Sequence, residues 1–281
     1  MLGLAVTKEL LSVPWSLTLT QRELVSDPET SSVRTFQLDA TDKNILDKLD
    51  SFGNFDFVVN CIGLIKPYID DADSEKRNRA IEINSKFPYE IENWATRTGA
   101  KVIQIATDCV FSGKKGSYLE TDEHDALDVY GKSKSLGEAP SSSMMHLRVS
   151  IIGPEAGRNT SLFEWVRNQP KGSNISGYTD HFWNGITTLH FAKIVRGVIE
   201  NNLFAPGVFH VLPKNSVSKH DLVCSIAKHL KREDVVVVPN DTNSKIDRTL
   251  STSNPDMNNR LWKAAGYDDA PTIDEMISEI T

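Results

Sequence analysis

Short apolar runs that end at polar or small residues alternate along this chain with longer stretches whose apolar positions recur at helical spacing. Strands followed by helices give that pattern, and it predicts an α/β fold. Met1 to Leu11 carries apolar residues at helical spacing, so the sequence opens in a helix. Trp15 to Thr20 reads as a strand, and Val33 to Leu38 alternates in strand fashion before Asp39. Asp42 is placed to cap a helix over Asn44 to Phe52. Phe55 to Gly63 predicts a buried strand running into a small-residue turn. Ser74 to Gly99 predicts a long helix, which Pro88 either kinks or restarts. Val102 to Ala106 predicts a buried parallel strand. Further strands are expected over Met144 to Val149, Gly207 to Val211 at a sheet edge, and Val235 to Val238. Helices are expected over Leu162 to Asn168, His190 to Glu200 and Ser218 to Leu230. The last has Ser218 as N-cap and Asp221 near the capping-box position.

The stretch from Ile105 to Glu138 carries the candidate chemistry. Thr107 and Asp108 fall at the end of the Val102 to Ala106 strand, and ligands of open α/β sheets sit at the carboxyl ends of strands. After a glycine-rich polar loop, Tyr130 and Lys134 are spaced to share one helical face. A free tyrosine, with a pKa of about 10, is a poor proton carrier at neutral pH. A lysine ammonium within roughly 4–6 Å favours the phenolate and lowers that pKa. Thr107 can then hydrogen-bond a carbonyl that Tyr130 protonates. One tyrosine in six having a lysine four residues later is weak by itself, so the pair gains weight from its surroundings.

Composition narrows the class. At 281 residues, 39% hydrophobic and 25% charged, the chain can bury one large core or two joined lobes. A net charge of −7 opposes sequence-independent nucleic-acid binding. Cys61, Cys109 and Cys224 are too scattered for a disulfide framework or a thiolate metal site and fit a reducing cytoplasm. The seven histidines show no ligand spacing, so no metal is expected. No apolar stretch is long enough for a bilayer, and the start lacks a secretory pattern.

In order, the strand, Thr107-Asp108, Val110-Phe111-x-Gly113, Tyr118-x-Glu120, Val129-Tyr130-Gly131-Lys132-x-Lys134 and Gly137-Glu138 resemble the extended short-chain dehydrogenase/reductases. Within them the pattern is most similar to the dTDP-4-dehydrorhamnose reductase group of nucleotide-sugar reductases. The resemblance implies a Rossmann-like doubly wound parallel sheet with a smaller C-terminal substrate lobe. Residues 1–155 would bind the dinucleotide, with 184–212 returning to that domain, and 156–183 with 213–281 would form the lobe, where composition loosens from Gly157. It also implies NADP or NAD as cofactor, a nucleotide-sugar substrate and a homodimer as candidate assembly. In that family a strand and a G-x-x-G-x-x-G loop precede the first helix. Gly3 fits the third glycine, and what would come before it lies outside the sequence. A start placed one strand late is the favoured account; the alternative is a chain with a weakened cofactor site.

Other residues follow from the same resemblance. Asp39 would lie beside the adenine or else cap a helix, and Cys61, Ile62 and Gly63 would form the cofactor turn after Asn60. Arg22, near the end of the second expected strand, leans toward the 2′-phosphate of NADP, with an exposed loop arginine as the alternative. Asn84 would face the site near the lysine or serve packing. Ile151 stands where rhamnose-forming reductases commonly carry a tryptophan against the sugar. His181, Trp183 and Asn184 lie in the segment expected to close over the sugar, with lobe packing as the other account of Trp183. Arg248 would face the diphosphate or form a surface salt bridge. The implied activity is reduction of a nucleotide-linked 4-keto sugar, with Tyr130 as acid, Lys134 tuning it and Thr107 orienting the carbonyl. A dehydratase of the superfamily would carry a glutamate where this chain has Cys109. An epimerase needs little beyond the same Tyr and Lys. A dinucleotide-binding regulatory subunit like that of methionine adenosyltransferase is the non-catalytic alternative.

Overall fold

The computed structural model describes residues 1–24, 30–138, 140–155 and 160–281. The expected lobe start at residue 156 and the loosening from Gly157 lie outside these. Helix α1 (Leu2–Leu10) opens the chain and buries Leu2, Val6 and Leu10. Strand β1 (Thr18–Gln21) begins later than expected, because the Trp15 amide donates to Val13 O at 2.9 Å and holds that stretch in a turn. Strand β2 (Arg34–Gln37) follows, then α2 (Ile45–Phe52). Asp42 does not cap α2: Asn44 is the N-cap, and the Asp42 carboxylate accepts from the Asn44 amide at 2.9 Å and pairs with Lys48 at 2.5 Å. Strand β3 (Phe57–Asn60) is half-buried except for Asn60, so the buried strand expected here is shorter and less enclosed.

The expected long helix is three pieces: α3 (Ser74–Ile81), a π-helical turn (Glu82–Lys86) and α4 (Phe87–Thr98). Pro88 sits in the first turn of α4 directly after the π turn, and the backbone stays right-handed helical from Ile81 through Phe87, so the helix runs on through the proline. Gly99, at φ 82°, ends α4 in the left-handed conformation that glycine tolerates best. Next come β4 (Lys101–Ala106), α5 (Val129–Leu136), β5 (Met144–Arg148), β6 (Ile151–Ile152) and α6 (Leu162–Arg167). The remainder runs β7 (Asn174–Tyr178), β8 (His181–Trp183), β9 (Ile186–Thr187), α7 (Thr188–Glu200), β10 (Gly207–His210) and β11 (Val217–Ser218). It ends with α8 (Lys219–His229), β12 (Val236–Asn240), β13 (Ile246–Asp247), α9 (Pro255–Ala264) and α10 (Ile273–Ser278). Ser218 caps α8 by accepting from the Asp221 amide at 3.0 Å.

The main sheet has the order β10-β5-β4-β3, all parallel, with β10 at the expected edge. Strands β1 and β2 pair in parallel as a separate two-stranded sheet, so the parallel strands of the first half form two sheets. Strand β4 lies inside the main sheet with Val102, Ile103 and Ala106 buried, which points its carboxyl end at the middle of the fold. In the second half β7 pairs with β12, β8 lies between β11 and β13, and β6 pairs with β9. One apolar core runs from α1 through β5 and α7 to Trp262 of α9 and Met276 of α10. A second gathers Trp94 and Phe87 of α4, Phe52 of α2 and Val102 of β4. These two cores clamp β4 from its two faces. No described helix is long and apolar enough to cross a membrane.

Candidate functional site

Thr107 ends β4 and caps the short turn Asp108–Val110, accepting from the Cys109 amide at 3.2 Å and donating to Asp108 Oδ1 at 3.2 Å. Helix α5 is brought against that turn by Gly131, where a Cβ would lie 2.3 Å from Cys109 O and 2.4 Å from Ala126 Cβ. Any larger residue would push the helix away. Asp128 fixes the helix start by accepting from the Gly131 amide at 2.7 Å, and pairs with Lys66 at 2.6 Å. At the other end Gly137 lies so close to Asn84 that a Cβ would be 2.0 Å from its carbonyl oxygen. Tyr130 and Lys134 are thus carried one turn apart on a helix wedged between two backbone segments.

The Lys134 ammonium donates to Ile105 O at 3.2 Å, one residue pair before Thr107, and is itself buried. The π-helical turn brings Asn84 and Ser85 to the same place. Asn84 accepts from the Leu64 amide at 2.8 Å and donates to Leu64 O at 2.9 Å and Ser133 Oγ at 3.1 Å. Ser85 donates to Ser133 O at 2.7 Å. Asn84 therefore ties the β3 loop to α5, with its Oδ1 and the Lys134 ammonium both beside Gly63. A long helix hides this, since only the extra residue of the π turn rotates both side chains inward.

Burial raises the Tyr130 pKa, Cys109 and Asp108 add to the rise, and a hydrogen bond with Thr107 opposes it. Burial is the largest influence on this phenol. Lys134 is lowered to about 8 by its own burial, with Glu138 pulling the other way. Its proton is the labile one near neutral pH. The Cys109 thiol is pushed up to about 12, mainly by burial, and so is Cys61, so neither is a thiolate at neutral pH.

The residues fit a dinucleotide at this end of the sheet. The first turn of α1 has no side-chain cap, and Gly3 within it approaches Cys61 beyond β3, where a Cβ would sit 3.7 Å from Cys61 Cβ. Uncapped helix N–H groups suit a phosphate. At Gly63 a Cβ would lie 3.6 Å from Asn84 Oδ1 and 3.8 Å from Lys134 Nζ, so its bareness opens the space beside the ammonium. Asn60 shapes the turn, accepting from the Ile62 amide at 3.0 Å and donating to Gln104 at 2.7 Å.

The remaining expected residues divide. Arg22 is exposed beside Glu23 at 3.5 Å, and its charge acts on Asp39 across the β1 and β2 ends. Asp39 caps its own turn, accepting from the Thr41 amide at 2.9 Å and hydroxyl at 2.8 Å, which lowers its pKa. Ile151 opens β6. Beside it Trp183 is buried and donates from Nε1 to Ser150 Oγ at 2.8 Å, so an indole does reach this wall, from a different strand. Asn184 is spent on Leu250, donating to its oxygen at 2.7 Å and accepting from its amide at 2.9 Å. It pins that segment to Leu250. His181 packs edge-on against Tyr178 at 4.7 Å, away from the Thr107 cluster's hydrogen bonds. Arg248 donates to Phe111 O at 2.9 Å and makes no carboxylate pair among the described residues, against the salt-bridge account. Sequence reasoning missed Lys66, whose ammonium lies 5.8 Å from the Tyr130 ring centre, and Lys219, 5.4 Å from that of Trp183. Asp128 carried a signal, an N-cap type one residue before the helix; the two lysines carried none.

The chain is 29% identical over 174 residues to methionine adenosyltransferase 2 subunit beta of Danio rerio, covering 55% of this chain and 53% of that protein. It is 27% identical over 202 residues to dTDP-4-dehydrorhamnose reductase of Aggregatibacter actinomycetemcomitans, covering 68% and 66%. The chain thus spans about half the length of the first of these relatives. Among solved structures, dTDP-4-dehydrorhamnose reductase of Bacillus anthracis in complex with NADP superposes with a TM-score of 0.72 at 20% identity, covering 94% of this chain and 97% of that one. That likeness shows the α/β fold with its parallel sheet. The family model described as RmlD substrate binding domain matches residues 1–281, and the chain belongs to that family.

Proposed function

We propose that this protein reduces a nucleotide-linked 4-keto sugar with NADPH or NADH, as an oxidoreductase of the short-chain type. The observation that carries it is the convergence of Thr107, Tyr130 and Lys134 on the carboxyl end of β4. The name and NADP complex of the structural neighbour, and the reductase among the relatives, support the cofactor and the substrate class. Residues 1–155 with 184–212 would hold the cofactor, and 156–183 with 213–281 the sugar nucleotide.

A bound nicotinamide dinucleotide supplies the hydride. The first turn of α1 at Gly3, the turn of Cys61, Ile62 and Gly63, and the Lys134 ammonium would hold it, with Arg22 favouring a 2′-phosphate. Thr107 orients the carbonyl oxygen, and Tyr130 donates the proton to that oxygen. Lys134, close to half-ionised near pH 8, would be the group able to exchange a proton beside the acid. A cysteine thiol at position 109, kept protonated, is no base, which argues against dehydration.

The likeness to methionine adenosyltransferase 2 subunit beta favours a second reading, a dinucleotide-binding regulatory partner. One experiment separates them: NADPH oxidation is followed with dTDP- and UDP-linked 4-keto sugars, alongside co-purification with a methionine adenosyltransferase catalytic subunit. Turnover that disappears in Tyr130→Phe supports the reductase. No turnover together with a stable complex defeats it.

A further inference from the structure

The segment that leads from the turn after β3 to α3 crosses the start of α5. Its near end is fixed at Leu64, whose amide and carbonyl both bond Asn84, at 2.8 and 2.9 Å. Lys66, Pro67 and Tyr68 then form one tight helical turn, closed by the Ile69 amide on Lys66 O at 3.0 Å. The far end is tied to α3, where Arg77 donates to Asp71 O at 2.8 Å. Between these ends the segment bonds the first turn of α5 twice. The Lys66 ammonium donates to Asp128 Oδ2 at 2.6 Å, and the Val129 amide donates to Asp71 Oδ2 at 3.2 Å. Asp128 uses its other oxygen to cap the helix, accepting from the Gly131 amide at 2.7 Å. Two carboxylates from separate segments thus meet at one helix N-terminus, beside Tyr130. Such an end favours negative charge, but two carboxylates there repel each other. Lys66 supplies the counter-charge. Its ammonium also lies 5.8 Å from the Tyr130 ring centre, and its charge acts on Cys109 at the end of β4.

We propose that Lys66 is a positioning residue for Tyr130, a buckle that fastens residues 64–71 across α5 and so fixes the phenol relative to the turn after β3. This role rests on the reductase reading and adds to it a residue outside the reacting groups. Gly131 and Gly137 let α5 sit close to the main chain beneath it, and contact there limits motion toward that backbone. The ion pair holds the first turn of the helix, which carries Tyr130, to the crossing segment. A pair this exposed contributes little to global stability. Its effect is on where the phenol points, and a misplacement of about 1 Å at a reacting group costs up to roughly 100-fold in rate. The cation over the ring adds an attraction that acts on the ring itself. Lys134 does not share this role, because its ammonium is bonded to Ile105 O.

The test compares the full chain with Lys66→Met, which removes the charge and keeps most of the side-chain length, and with Lys66→Arg, which keeps the charge. Hydrogen exchange read by mass spectrometry over residues 126–132 needs no turnover. NADPH oxidation with a keto-sugar nucleotide gives kcat and KM separately. The buckle predicts at least about threefold faster exchange of the first-turn amides in Lys66→Met. It also predicts kcat lower by about tenfold in that variant, with KM within about twofold of the parent. Lys66→Arg should stay close to the parent in both measurements. Unchanged exchange in Lys66→Met overturns the proposal, as does kcat within about twofold of the parent. A raised KM with unchanged kcat also overturns it, since that would assign Lys66 to substrate binding. An equal loss in Lys66→Arg overturns it too, because the charge would then be irrelevant. A parent chain that reduces no keto sugar defeats the reductase reading alone, and the exchange measurement still decides whether Lys66 fastens α5.

Discussion

Tyrosine lies beside lysine in two parts of this molecule, and the two pairs differ in what satisfies the lysine. In the C-terminal pair, Lys193 donates to the Tyr267 hydroxyl at 2.7 Å and to Glu279 at 2.8 Å, while Tyr267 donates to Glu279 at 2.7 Å. His190 closes the group, 2.9 Å from the Tyr267 hydroxyl. Burial works to lower the Lys193 pKa, but the bonds to Glu279 and Tyr267 outweigh it and raise it. In the β4 site no carboxylate among the described residues touches Lys134, its ammonium donates to a backbone carbonyl, and burial brings it down to about 8. A lysine bonded to a carboxylate is a finished structural joint. A lysine left with a carbonyl has donors to spare and a proton it can lose.

The contrast can be broken at either pair. The largest effect is expected from Tyr130→Phe, which should lower kcat with a keto-sugar nucleotide by about 10²- to 10⁴-fold while NADPH binding by fluorescence stays near parental. An active variant would remove Tyr130 from the acid role. Lys134→Met should cost somewhat less, on the order of 10²-fold, and should also abolish a pH effect. In the parent, kcat/KM should fall as pH rises through about 8, where the ammonium loses its proton; the variant should lack that limb. At the C-terminal pair, Tyr267→Phe should leave kcat unchanged and reduce stability by about 1 kcal/mol in urea unfolding.

The smallest expected effect is a pH trend in stability. His190 and His210 are both lowered to about 4, first by burial, from an ordinary value near 6.5. Between those values the unfolded chain binds more protons than the folded one. Stability is therefore full above the higher value and falls as pH drops through the window. The urea midpoint should decline from pH 6.5 to 4, and a flat midpoint would show that these rings are not held neutral.

Much of this was legible because it is local. The Tyr130 and Lys134 spacing, the strand ending at Thr107, the Ser218 cap and the β10 edge each rest on a few neighbouring residues. Pro88 was legible as a kink or a restart, while the helix runs on through it after a π turn whose extra residue periodicity does not register. The burial of Tyr130 depends on what packs around the helix, and spacing says nothing of that. Lys219 and Trp183 lie 36 positions apart in the chain and meet only through the pairing of β11 with β8. The separation of the β1 and β2 pair from the main sheet is likewise a property of the assembled strands.

Helix α5 touches peptide backbone at both of its glycines, with Cys109 O under Gly131 and Asn84 O under Gly137. Room for a bulkier sugar cannot be made by sliding that helix, since either end would strike main chain that has no rotamer to yield. Under the proposed reading, substrate scope would be altered at side chains outside α5, such as Trp183 of β8, whose exchange leaves both backbone contacts in place.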